Sequence, residues 1–234
     1  MIRSRTLVMS LLFGVLVSST ATAQDLSKYR DFQFGMSLES LAKQIHMEAS
    51  AAKTTHQRPA MIQTLQWDQP GYPEPAAKDR SLRSLRFDFY NGELFKIIVT
   101  YDPVETEGLT TEDMVEAVSA IYGRGAIYGR GDRPERTIPV SVSSVYQDNQ
   151  KVLSCWEDAQ YSYNLFRSPY GNVFGLIAIS KKLDLVATEA KREAERLDKL
   201  EAPGKELARQ IKLEEDKRAA QEKARLITKP KFRP

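Results

Sequence analysis

Cysteine and histidine are nearly missing from this chain of 234 residues: Cys155 stands alone, and His46 and His56 are the two histidines. One cysteine excludes an intramolecular disulfide. Two histidines and one cysteine make a poor inventory for zinc, and no His-Glu-x-x-His helix occurs. No Gly-x-Ser-x-Gly nucleophile elbow is present. The carboxylate pairs Asp113/Glu116 and Glu157/Asp158 fit a solvated helix face and a strand end. The expectation is therefore no metal, no cofactor and no catalytic set. Cys155, beside Trp156, reads as a small buried hydrophobe, with a reactive thiol as the alternative.

Long apolar runs are also scarce. The one near the start, Leu7 to Val17, is too short for a membrane span of about 20 residues. Arg3 and Arg5 precede it, and Ala21-Thr22-Ala23 follows with small residues where a signal peptidase cuts. Residues 1–23 read as a signal peptide, Gln24 as the mature N-terminus, and the address as periplasmic or secreted. A lipoprotein needs a cysteine just after the cut, and Gln24 is not one. The formal charge of +3 is unevenly spread. Residues 181–234 hold 16 basic and 11 acidic side chains, and residues 24–180 hold 16 and 20. That balance does not suit a nucleic-acid partner.

What the chain does have is internal likeness. Gly35-Met-Ser-Leu-Glu-Ser-Leu and Gly108-Leu-Thr-Thr-Glu-Asp-Met align without gaps. Each is a helix start, with Ser37 or Thr110 able to accept from first-turn N–H groups and Glu39, Glu112 and Asp113 near the positive dipole end. Leu38, Leu41, Ala42 and Ile45 recur at helical spacing, as do Met114, Val118 and Ile121. A strand with tryptophan before an acid follows each helix: Trp67-Asp68 and Trp156-Glu157. A hairpin follows each strand. In the first, Asn91-Gly92 joins two alternating apolar runs; Leu85, Phe87 and Phe89 face one side and Arg86 and Asp88 the other, so one buried face is expected. The second runs from Tyr161 to Ile179 through a turn at residues 168–172. Its last strand is apolar on both sides, which predicts a central position. Val140 to Tyr146 adds a further predicted strand.

The fold class predicted is α+β: two tandem helix-plus-antiparallel-sheet repeats, residues 26–103 and 104–181, and a charged helical tail at 182–234. Gly-Met-Ser with its amphipathic helix, then the hairpin pattern from Phe89 to Ile97, resembles the SmpA/BamE-like exported domains. In tandem, the same unit is found in secreted β-lactamase-inhibitor proteins. The resemblance implies a helix-plus-sheet unit that binds proteins in or beyond the envelope. It carries no residue roles to this chain, which lacks the lipoprotein cysteine and the disulfides of those relatives.

In the tail, Leu183, Val186, Ala190, Leu197 and Leu200 trace a narrow stripe that Glu193 interrupts. Pro203-Gly204 predicts a break or bend. Three readings stay open: a solvated helix with a frayed end, a helix that docks on a partner or self-associates, and an envelope-surface contact through Lys229, Lys231 and Arg233.

The stretch Ile121-Tyr-Gly-Arg-Gly-Ala-Ile-Tyr-Gly-Arg-Gly131 repeats five letters. Its spacing is not that of a dinucleotide loop, and Gly123 stands where a helix cap belongs. It reads as a local duplication that lengthens a connection, or as a basic loop that binds through Arg124 and Arg130. Trp67 and Trp156 read as core, with a partner-binding platform as the alternative. The function these features favour is a non-catalytic protein-binding module of the envelope or exterior. Its rivals are a secreted hydrolase inhibitor and an enzyme acting on envelope polymers.

Overall fold

The computed structural model describes residues 25–69, 81–128, 136–139, 149–168 and 173–229. The signal-peptide segment, the strand expected at Val140–Tyr146, the turn at 169–172 and Arg130 lie outside the described residues. The elements are β1 (Lys28–Tyr29), β2 (Phe32–Gln33), α1 (Leu38–Gln44), β3 (Lys53–His56), β4 (Ile62–Asp68), β5 (Leu82–Tyr90) and β6 (Glu93–Tyr101). Then come α2 (Thr111–Tyr122), β7 (Ala126–Ile127), β8 (Arg136–Pro139), β9 (Asn149–Glu157), β10 (Tyr161–Arg167), β11 (Phe174–Ser180) and α3 (Lys181–Thr228). The class is mixed α and β with a long C-terminal helix.

The helix starts form as their sequences dictate. The Ser40 amide donates to Ser37 Oγ at 3.2 Å. At α2 the Asp113 amide donates to Thr110 Oγ1 at 3.2 Å, and the Thr110 amide donates back to the Asp113 carboxylate at 2.8 Å. That reciprocal box satisfies two first-turn donors. Ile121 departs from its expected role: it is exposed, and the buried residues of α2 are Met114 and Val118.

All strands from β3 onward join one antiparallel sheet in the order β3-β4-β5-β6-β11-β10-β9, with β7 and β8 both paired to β9. The two hairpin strands β6 and β11 meet in the middle, Ile98 opposite Ile177. Trp67 lies opposite Leu85 in one half, and Trp156 opposite Tyr163 in the other. Every residue of β11 is buried, as its two-sided apolar sequence requires of a central strand.

One sheet face carries Phe87, Phe89, Ile97, Val99, Leu165 and Leu176, packed in one cluster with Leu38 and Leu41 of α1 and Met114 and Val118 of α2. The opposite face is covered as well, which corrects the expectation of a single buried side. Asp88, on that second face, is fully buried. The reason lies at the far end of the chain, in α3.

Candidate interaction surface

Helix α3 leaves β11 without a break. Lys181 fixes its start, the ammonium donating to the Asp158 carbonyl at 2.6 Å and pairing with Glu157 at 3.0 Å. The helix then lies on the second sheet face, where it buries Ala187, Ala190 and Ala194. Ala187 packs with Ile62 and Phe95, flanked by Leu183 and Tyr90. Alanine lets the helix axis come close to the sheet and loses no side-chain entropy on burial.

A bulge in β6 prepares the strand for this contact. Asp88 pairs with Lys96 but Phe89 pairs with Leu94, so Phe95 is an extra residue. Such an insertion re-aims side chains, and here both neighbours address α3. Phe95 meets Ala187, and Lys96 meets Asp184 at 2.7 Å. Thr64 Oγ1 donates to Asp88 at 2.9 Å, and Arg86 lies 3.5 Å from the same carboxylate oxygen. Lys191 stands over the Phe95 ring, 5.7 Å from its centroid. Burial pulls the Lys191 ammonium below the ordinary lysine range, against the pull of Asp88 and Asp184. The interface is thus an apolar seam beside a charged cluster.

At Glu201 the helix parts from the body. Its carboxylate pairs with Arg58, and hydrogen bonds from Arg58 and Lys205 hold its pKa below the usual range. Residues 202–229 are all exposed. At about 1.5 Å per residue, this free half extends roughly 40 Å into solvent. Of the break or bend expected at Pro203, the break does not occur: the helix runs through it. It removes the donor that would pair with the carbonyl of Lys199, an exposed residue, and water can take that place.

The apolar stripe of the tail is split by this docking. Leu183, Ala187, Ala190 and Ala194 turn toward the body, while Val186 and Leu200 turn away, 39% and 64% exposed. Beyond the body, Leu207 and Ile211 continue the outward side at 60% and 51% exposed. Short ion pairs brace the free half, Glu206 with Arg209 at 2.9 Å and Glu214 with Lys217 at 3.5 Å. Each contributes a few tenths of a kcal/mol, roughly, to helix stability.

The four residues singled out for partner binding do not gather in one place. Trp156 is 2% exposed, and its indole N–H donates to the Gly123 carbonyl at 2.8 Å and Ser119 Oγ at 3.2 Å. Gly123 caps α2 at φ 73°, as its position suggested. A Cβ on Gly125 would lie 2.5 Å from the Trp156 ring, so only glycine fits there. Arg124, between these glycines, is exposed. Trp67 is half-buried against the first-face core, in the other half of the sheet. Arg130 is outside the described residues.

Cys155 is buried, and burial raises its thiol pKa, the thiol lying 3.7 Å from Ser162 Oγ. His46 is exposed at the end of α1 and His56 sits on β3. Among the described residues no group of three or more His, Cys, Asp or Glu side chains is placed to hold a metal. An open cleft of about 550 Å³ lies at the start of α2, between Glu107, Glu112 and Arg167. The Asp113 carboxylate occupies that helix end. No helix among the described residues is long and apolar enough to cross a membrane.

Comparison with protein-family models, with curated proteins and with solved structures gives no match. The surface itself therefore supplies the argument for function.

Proposed function

We propose that this chain is an exported, non-catalytic protein-binding module that acts in the cell envelope or outside the cell. The free half of α3 is its binding element. The observation that carries this reading is the row Leu200, Leu207 and Ile211, held exposed along a helix whose first half is anchored to the sheet. An ordered helix that presents apolar residues to water is set up for helix-in-groove or helix-on-helix recognition. Apart from the exposed Leu213, Leu226 and Ile227, the remainder is charged and ion-paired, so that the sheet body serves as a base and α3 as its reach. Arg124 and the exposed part of Trp67 offer secondary contacts on the body.

The body reads as a duplicated unit, residues 26–103 and 104–181, of the kind seen in SmpA/BamE-like domains. Support comes from the two capped helix starts, the matching tryptophan strands and the central pairing of Ile98 with Ile177. Export is supported by the charge, apolar run and cleavage pattern of residues 1–23.

The test is capture of binding proteins from envelope extract by the mature chain, by a chain ending at Glu201, and by a Leu207→Asp/Ile211→Asp variant. The reading expects specific capture by the first and loss in the other two. Equal capture by all three would remove α3 as the binding element.

A further inference from the structure

We propose that the occupant of the outward face of α3 is a second copy of this chain, its helix lying parallel and in register. This rests on the reading of that face as a binding surface and adds the identity of the partner. The first argument is position. Val186, Ala190, Leu197, Leu200, Leu207 and Ile211 fall on the alternating three- and four-residue positions of a coiled-coil seam, with Glu193 and Gly204 at the two positions between them. At 3.6 residues per turn this row lies roughly a quarter to a third of a turn from the row of Ala187, Ala190 and Ala194. The body takes the alanine row, Ala190 of the seam included, and leaves Val186, Leu200, Leu207 and Ile211 exposed to the side, with Leu197 half-buried. A second helix can lie there without displacing the sheet, and two-fold symmetry then puts the two bodies on opposite sides of the pair.

The second argument is charge. The rows flanking the seam hold Arg196, Gln210 and Lys217 on one side and Glu201, Glu215 and Glu222 on the other. In a parallel, in-register pair, flanking residues five apart face each other between chains. That sets Arg196 against Glu201 and Lys217 against Glu222 of the second copy, and Gln210 against Glu215. On the seam itself, Glu214 and Arg218 become neighbours of opposite sign. An antiparallel pair centred on Leu207 and Ile211 would instead place Leu200 against Arg218 and Glu201 near Glu215. The sequence of charges selects the parallel orientation and fits this chain to itself.

Arg196 and Lys217 already pair with Glu193 and Glu214 in their own helix, and Glu201 already pairs with Arg58 and Lys205. Association exchanges those contacts for others, so the apolar layers drive it and the charges set its direction. The seam is short, with Gly204 between Leu200 and Leu207, so the dimer dissociates on dilution.

Sedimentation equilibrium of the full chain across a wide concentration range tests this. The mass is expected to rise from one copy to two, and Leu207→Asp/Ile211→Asp is expected to stay monomeric with unchanged helical circular dichroism. Lys217→Glu should weaken association roughly tenfold, two repulsive pairs replacing two attractive ones. Lys217→Glu/Glu222→Lys should restore it, because the charges only trade places. Ile211→Cys should form a disulfide between copies, as the parallel register requires. A monomer at every concentration, an unrestored double swap, or failure of Ile211→Cys to cross-link overturns the proposal. If the chain is monomeric yet the Leu207→Asp/Ile211→Asp variant still loses capture of another protein, the face binds a different chain. The wider reading then stands while the second copy is excluded.

Discussion

Lys96 of β6 and Asp184 of α3 meet at 2.7 Å across the contact between sheet and tail, where both are largely shielded from water. The pair ties the end of the chain to the middle of the fold. Losing one partner strands the other charge in a partly buried site. Asp184→Asn or Lys96→Met alone should destabilise the protein by roughly 1–3 kcal/mol, and Lys96→Met/Asp184→Leu by much less. Denaturant midpoints of the three variants check this.

Gly125 is expected to tolerate no side chain. Gly125→Ala puts a methyl group within 2.5 Å of the Trp156 ring. The cost should be about 1–3 kcal/mol, with a shift in Trp156 emission as the indole leaves the Gly123 carbonyl. Fluorescence in a Trp67→Phe background reads that shift without interference.

Alkaline pH should loosen the body through its tyrosines. Burial pushes the Tyr122 hydroxyl up to about 12 and raises Tyr101 and Tyr163 as well. A raised folded value means that the unfolded chain ionises first, near the ordinary value of about 10. Above that pH the unfolded state binds fewer protons, so stability falls until the folded groups ionise too. The tyrosine contribution to the denaturation midpoint should be flat below pH about 9.5 and then decline, and in Tyr122→Phe the decline should be less steep.

Lys191 works in the opposite sense. Its folded pKa is depressed, so just below the ordinary lysine value of about 10.4 the unfolded chain holds the extra proton. Stability from this group rises with pH through that window, and Lys191→Met should remove the rise. The same variant should be no less stable than the parent at neutral pH, because it relieves a buried charge.

Pro203 limits the free half of α3. Pro203→Ala should raise local helix stability by up to about 3 kcal/mol, seen as slower hydrogen exchange from residue 199 onward. The body, which does not contact this part of the helix, should exchange as before.

Much of the framework was legible because its signals are local. The Ser37 and Thr110 caps need three residues to be recognised, the Asn91-Gly92 turn needs two, and the two-sided apolar run of β11 announces a central strand. The interface of α3 was not legible, for a different reason in each part. Ala187, Ala190 and Ala194 are chosen for small size, so hydrophobic periodicity undervalues them beside Val186 and Leu200, which the structure leaves outside. The bulge at Phe95 has no sequence mark and changes which side chains of β6 reach the helix. Asp88 reads as a solvent-facing strand residue until a helix from nearly 100 positions later, by rough reckoning, covers it. Trp156 lends itself to a binding platform because nothing nearby in sequence shows that its indole bonds to Gly123, whose distance along the chain is 33 residues.

The most direct test of the account is photo-crosslinking from single positions on α3 in cells that make the chain. A crosslinker at Leu207 or Ile211 should yield a discrete adduct with another polypeptide, and one at Arg209, on the opposite side of the helix, should not. Adducts absent from Leu207 and Ile211, or equally strong from Arg209, would contradict the assignment of this face as the interaction surface.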